Sequence, residues 1–139
     1  MLNKAIVIKK RKSHRVVITV FSILMLAILT ACVLELHGAV ALLLYIPPLV
    51  ILVPFTLYYL TWNIRFDEKF IVKSVFFIEM NRFSYSTLRE VNKRYFSSEQ
   101  NFAIRMHFMN GKTLQFRMDD ENADRAVKII QKHCSIRNP

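Results

Sequence analysis

The sequence predicts a membrane α-hairpin followed by a small α+β domain, and three observations carry that reading. Residues 16–34, VVITVFSILMLAILTACVL, and residues 38–60, GAVALLLYIPPLVILVPFTLYYL, carry no charged side chain. Each is long enough to cross a hydrocarbon core of roughly 30 Å, for which a helix needs about 20 residues. From residue 62 onward apolar and polar residues alternate, the period of a half-buried strand. The last stretch, near residues 120–134, returns to helical spacing with a single apolar stripe.

The two apolar segments show no polar stripe of the kind that a buried helix of a soluble protein presents, so they are predicted as spans. The chain has 139 residues, 53% of them apolar, and 20 basic against 10 acidic residues. Six of the basic residues, Lys4, Lys9, Lys10, Arg11, Lys12 and Arg15, stand in residues 1–15 without an acid. The connection Glu35-Leu36-His37 has one acid, and residues 62–139 hold fourteen basic and nine acidic residues. Lys and Arg near span ends stay on the cytoplasmic side. The expected organisation is a basic cytoplasmic N-terminus over 1–15, a hairpin over 16–61 whose outer turn Gly38 closes, and a cytoplasmic domain over 62–139. A multi-pass protein of the cell (inner) membrane with both termini inside follows.

Leu29-Thr30-Ala31-Cys32 has the form of a lipobox, at which bacterial lipoproteins are cleaved and acylated. A second span begins six residues after the cysteine, however, and a lipid anchor adds little beside a transmembrane helix. The first span is therefore expected to stay uncleaved, with Cys32 near its outer end. Cys134, in a reducing compartment, is expected to be a free thiol. Pro47, Pro48 and Pro54 predict a kink near residues 44–50 of the second span. Neither helix carries the intramembrane charge that marks a transport pathway. Tyr58, Tyr59 and Trp62 suggest an interfacial aromatic anchor.

Six strands are expected in the domain. Trp62, Ile64 and Phe66 line one face of the first, and a second runs from Phe70 to about Ile78. Glu79-Met80-Asn81 turns the chain into a short strand, Arg82 to Tyr85. Ser86-Thr87-Leu88 breaks the alternation before Glu90 to Phe96 resumes it, and Ser97 to Asn101 reads as a polar loop. Phe102, Ile104, Met106 and Phe108 then face Leu114, Phe116 and Met118 across a hairpin. A two-residue Asn110-Gly111 turn would set every apolar residue opposite a polar one. A three-residue loop, Met109-Asn110-Gly111, pairs Met106 with Leu114 and Ile104 with Phe116, with Gly111 left-handed. Asp119 or Asp120 is expected to cap the final helix, with Glu121 and Asp124 near its positive end. Ala123, Ala126, Val127, Ile130 and Cys134 form its apolar stripe, and Glu121/Arg125 and Asp124/Lys128 its i, i+4 pairs. Such a helix would cap a strongly bent antiparallel sheet or open barrel.

The run WNIRFDEKFIVKSVFF, then FSYSTLREV, then a hairpin with NGK and a closing helix resembles the bacterial pleckstrin-homology (PH)-like domain. The similarity covers about residues 62–135, with the preceding helix pair as an architectural match. The resemblance implies a seven-stranded, helix-capped scaffold or interaction module and no catalytic residues.

The residues themselves offer little chemistry. His14, His37, His107 and His133 lie at no metal-ligand spacing, and there is no Gly-rich phosphate loop, serine elbow or convergent acid pair. No enzyme activity, metal or cofactor is expected, and the modest charge of a membrane-tethered domain disfavours nucleic acid. Lys9, Lys10, Arg11, Lys12 and Arg15 precede a span and are candidates for contact with anionic lipid, though setting topology is the preferred explanation because it needs only their position. Arg89, Lys93 and Arg94 are the candidate partner surface. The expected function is a two-span protein whose domain serves as a protein-interaction or membrane-associated scaffold, its partners the lipid bilayer and a protein or second copy. The alternative is an accessory or immunity-type protein acting through its helix pair on a toxin or larger membrane complex.

Overall fold

The computed structural model describes residues 5–35, 39–96 and 101–137. The chain forms two compact units, one of residues 12–61 and one that joins residues 1–11 to residues 62–139. The first unit is a pair of helices, α1 (Lys12–Leu34) and α2 (Ala39–Thr61), both long and apolar enough to cross a membrane. Apart from Ser22 in α1 and Ala41 and Thr61 in α2, their described side chains are not buried, so apolar surface faces outward. The two helices share a hydroxyl contact, Ser22 Oγ to Thr56 Oγ1 at 2.6 Å, and Thr56 also donates to the Leu52 carbonyl at 2.8 Å. Helix α2 runs unbroken through Pro47, Pro48 and Pro54. Of the expected outer turn, Leu36, His37 and Gly38 lie outside the described residues.

The second unit begins before the helices. Ile6–Lys9 is a strand, β1, where the sequence suggested only a basic leader. It pairs antiparallel with β2 (Asn63–Phe66), followed by β3 (Phe70–Val75) and β4 (Ile78–Ser84) in one sheet of order β1-β2-β3-β4. The second sheet has the order β7-β6-β5-β8, built from β5 (Leu88–Phe96), β6 (Asn101–Phe108), β7 (Thr113–Arg117) and β8 (Ile136–Arg137). Strand β8 joins β5 in parallel and the rest are antiparallel. Among the described residues, eight strands in two separate sheets replace the six strands and the single bent sheet or open barrel expected. Among the described residues no closed barrel forms.

The sheets part at a 3-10 turn, Tyr85–Thr87, in the SYSTL step where alternation breaks. Ser84 Oγ accepts from the Ser86 amide, and Thr87 Oγ1 donates to the Ser84 carbonyl at 2.8 Å. These local bonds compete with a ladder and turn the chain from one sheet to the other. The inner faces share one core. Ile8, Ile64, Phe66, Ile71 and Phe83 from the first sheet meet Val91, Ile104, Met106, Phe108, Leu114 and Phe116 from the second. Phe66 meets Phe116 edge-on at 6.0 Å, and Phe83 stacks on Phe108 at 4.1 Å. Trp62, expected as an interfacial aromatic, is only 3% exposed and belongs to this core.

The β6–β7 hairpin has the predicted register, with Ile104 opposite Phe116 and Met106 opposite Leu114. Gly111 takes φ +76°. The β3–β4 hairpin differs from expectation. Its turn is Phe76-Phe77, both left-handed at φ +53° and +64°, and Glu79, Met80 and Asn81 are strand residues. A register shift after Lys73, which faces Asn81 while Ser74 faces Glu79, leaves Met80 as an extra, unopposed residue. Two phenylalanines carry no turn chemistry, so the sequence pattern pointed to Glu79-Met80-Asn81 instead.

Helix α3 (Ala123–His133) covers the core through Ala123, Ala126 and Ile130. It starts later than expected. Its N-cap is Asn122, left-handed at φ +66°, and not Asp119 or Asp120. The Asn122 side chain donates to the Val7 carbonyl of β1 at 2.9 Å, so a tertiary contact sets the helix start. Glu121 lies ahead of the helix, and its amide bonds the Lys9 carbonyl at 2.9 Å.

Candidate functional site

A groove of about 510 Å³ lies between α3 and the β2–β3 turn. Its apolar lining is Ile6 of β1, Phe66 of β2 and Ile129 of α3. Arg125, Lys128, Lys132 and His133 line the helix side, and Asp67 and Glu68 stand in the turn. Positions 125, 128 and 132 are three and four residues apart on α3, which puts their side chains on one face. The turn wall is held in place by an ion-pair chain. Arg65 Nε donates to Asp67 Oδ2 at 2.9 Å, Arg65 also reaches Glu79 at 3.5 Å, and Glu79 pairs with Arg82 at 3.3 Å.

Beside the groove, the Tyr85 ring stacks on His133 with centroids 4.1 Å apart. The Tyr85 hydroxyl is buried and has no hydrogen-bond partner among the described residues. Burial, and then the negative charge of Asp67, push its pKa up to about 12. The hydroxyl therefore stays protonated at neutral pH. Among the described residues no three His, Cys, Asp or Glu side chains are grouped to hold a metal ion. A polarity-sorted groove of this kind can bind and orient a ligand.

The sequence-derived candidates fall elsewhere. Lys9 ends β1 and is exposed. Lys10 Nζ lies 4.1 Å from the centroid of the Trp62 ring and 3.9 Å from Asp120 Oδ2, and Arg11 approaches Asp119 at 3.8 Å. Lys10 and Arg11 thus engage the domain's own acidic turn. Lys12 and Arg15 stand in the first turn of α1. Asp120 is buried and accepts from the Arg117 amide at 3.0 Å. Burial raises its pKa above the ordinary carboxylate value, against the lowering effects of the Arg117 amide and the Lys10 charge.

Arg89, Lys93 and Arg94 do not form one patch. Lys93 faces Ile104 across the ladder and lies 4.5 Å over the Phe102 ring, whereas adjacent Arg94 points to the opposite face. Arg89 sits at the bulge between Leu88 and Glu90, beside Cys134, Ser135 and Arg137. Period-2 geometry separates neighbours that the linear sequence groups together. The groove was missed because its floor needs β1. The signal was present in Ala5-Ile6-Val7-Ile8, a short β-branched run inside the basic leader.

Comparison with family models, curated proteins and solved structures finds no match for this chain.

Proposed function

We propose that the chain is a two-span protein of the inner membrane that presents a cytoplasmic PH-like domain as a protein-interaction module. The α3 groove is its binding site. The groove carries this reading because its walls are sorted by charge around an apolar floor. An apolar floor between a basic and an acidic wall suits an amphipathic peptide segment with apolar anchors and charges of both signs. A densely anionic headgroup would meet Asp67 and Glu68. Two features support the PH-like assignment. Seven strands precede the closing helix, the number the resemblance implies, once β1 is counted ahead of the helix pair. The chain also changes sheets at the SYSTL step on which the resemblance rests. Both connections to the helices are short, since Trp62 alone separates α2 from β2 and two residues separate β1 from α1. The domain is held at the membrane surface, and a partner captured there is presented at high effective concentration.

Charge reversal tests the site. With Lys128→Glu and Lys132→Glu in the full chain, the partner recovered by cross-linking in native membranes should bind about tenfold more weakly, roughly 1.4 kcal/mol. Replacing both helices by unrelated spans should leave binding intact. Binding that survives the double variant and is lost with the native helices would favour the alternative, an accessory or immunity-type protein acting through its helix pair.

A further inference from the structure

The β3–β4 hairpin ends in an apolar tip that the groove does not use. Phe77 is 87% exposed and Ile78 64%, and Met80, the unopposed residue of the bulge, is 59% exposed. Phe76 adds a partly exposed ring at 43%. Both turn residues are left-handed, a backbone conformation that bulky side chains rarely adopt and that Asn or Gly would hold with less strain. A soluble domain gains nothing from two strained, solvent-facing phenylalanines.

Register shows which end of the sheet carries this tip. Lys9 faces Asn63, and Asn63 faces Ser74, so the start of β2 and the end of β1 share one line across the sheet. The chain enters β2 from α2 through Trp62 alone, and it leaves β1 toward α1 through Lys10 and Arg11. Val75, Phe76 and Phe77 follow Ser74 and extend past that same line. Phe76 and Phe77 therefore project at the sheet end where both chain crossings occur. Exposed Lys9 stands at that end as well, a cation suited to anionic headgroups.

We infer that the Phe76-Phe77 tip inserts into the interfacial layer of the bilayer that the chain itself crosses. The lipid is the occupant because both chain connections, at most two residues long, leave from the sheet end that bears the tip. Phenylalanine is among the apolar side chains that bury about 5–10 Å into the headgroup–acyl boundary of a bilayer. Insertion adds a third point of attachment and fixes the orientation in which the groove is presented. The inference rests on the reading of α1 and α2 as membrane spans, and the test separates the two.

The full chain, with Cys32→Ser and Cys134→Ser, is given one fluorophore-bearing cysteine at a time by Phe77→Cys, Glu68→Cys or Ile51→Cys. It is reconstituted in vesicles of phosphatidylcholine and phosphatidylglycerol with acyl-chain bromines. Glu68, in the turn at the other end of β2 and β3, is the aqueous control, and Ile51 in α2 is the membrane control. The expected result is bromine quenching at Phe77 several-fold above that at Glu68, with shielding from aqueous iodide. Quenching by iodide at Phe77 while Ile51 is quenched by bromine overturns the tip and leaves the spans standing. Shielding from iodide at Phe77 without bromine quenching points to a protein surface and overturns the lipid assignment. No bromine quenching at any position overturns both readings. Phe77→Trp, which keeps an aromatic ring, repeats the measurement without a label. Emission unaffected by brominated lipid beyond that of the parent, which contains Trp62, overturns the proposal in the same way.

Discussion

Asp120 shows how one buried carboxylate ties the basic leader to the domain. Its Oδ2 accepts the Arg117 amide and lies 3.9 Å from Lys10, yet burial dominates and its folded pKa is raised. The folded state then holds a proton that the unfolded chain gives up near pH 3.9. Its contribution to stability is full below that value, falls as pH rises to the raised folded value, and is flat above. Asp120→Asn keeps an acceptor for the amide and removes the titration. The thermal midpoint of the detergent-solubilised full chain, followed across this window, should fall less with rising pH in the variant than in the parent. Identical slopes would refute the assignment. Asp120→Ala, which orphans the Arg117 amide, should cost about 1–3 kcal/mol, most at low pH where the side chain contributes fully. In the sequence Asp120 looked like a helix cap. The residue type was informative and its hydrogen-bond donor, the Arg117 amide, is local, but its ion-pair partner Lys10 comes from a segment more than a hundred positions away.

At the scale of elements, the two short hairpins contrast. The β6–β7 loop was legible because one register alone puts Ile104, Met106, Leu114 and Phe116 on a common face, and Asn110-Gly111 supplies the left-handed residue. The β3–β4 turn was not, because Phe-Phe is a poor turn sequence that only its surroundings hold. Phe76→Asn combined with Phe77→Gly should raise the stability of the full chain by about 1–2 kcal/mol through relief of two left-handed bulky residues. Thermal unfolding with near-ultraviolet circular dichroism measures this. The same variant should lose the lipid contact inferred for the tip, so stability and attachment would move in opposite directions. A less stable variant would mean that the phenylalanines support the hairpin.

The whole molecule is organised by an interruption. The helix pair is inserted between β1 and β2, so the domain's first strand is translated before either helix. Ile8 is fully buried in the shared core. Ile8→Ala should therefore cost about 2–4 kcal/mol of domain stability, detected as earlier loss of near-ultraviolet dichroism while helical signal persists. A leader that only set topology would tolerate the change.

Composition and periodicity by themselves determined the two long apolar helices, the change to alternating strands at Trp62, the register of the last hairpin and the apolar stripe of α3. These are local properties, written in the spacing of a few neighbouring side chains. Only the tertiary structure decided that Ile6–Lys9 is a strand, that Trp62 is core, that α3 starts at Ala123, and that a groove lies beside it. It also separated Lys93 from Arg94 and placed Phe76 and Phe77 at the sheet end where the chain meets its helices. Each of these depends on pairing between segments far apart in the chain, and the energy of such a pairing belongs to neither segment alone.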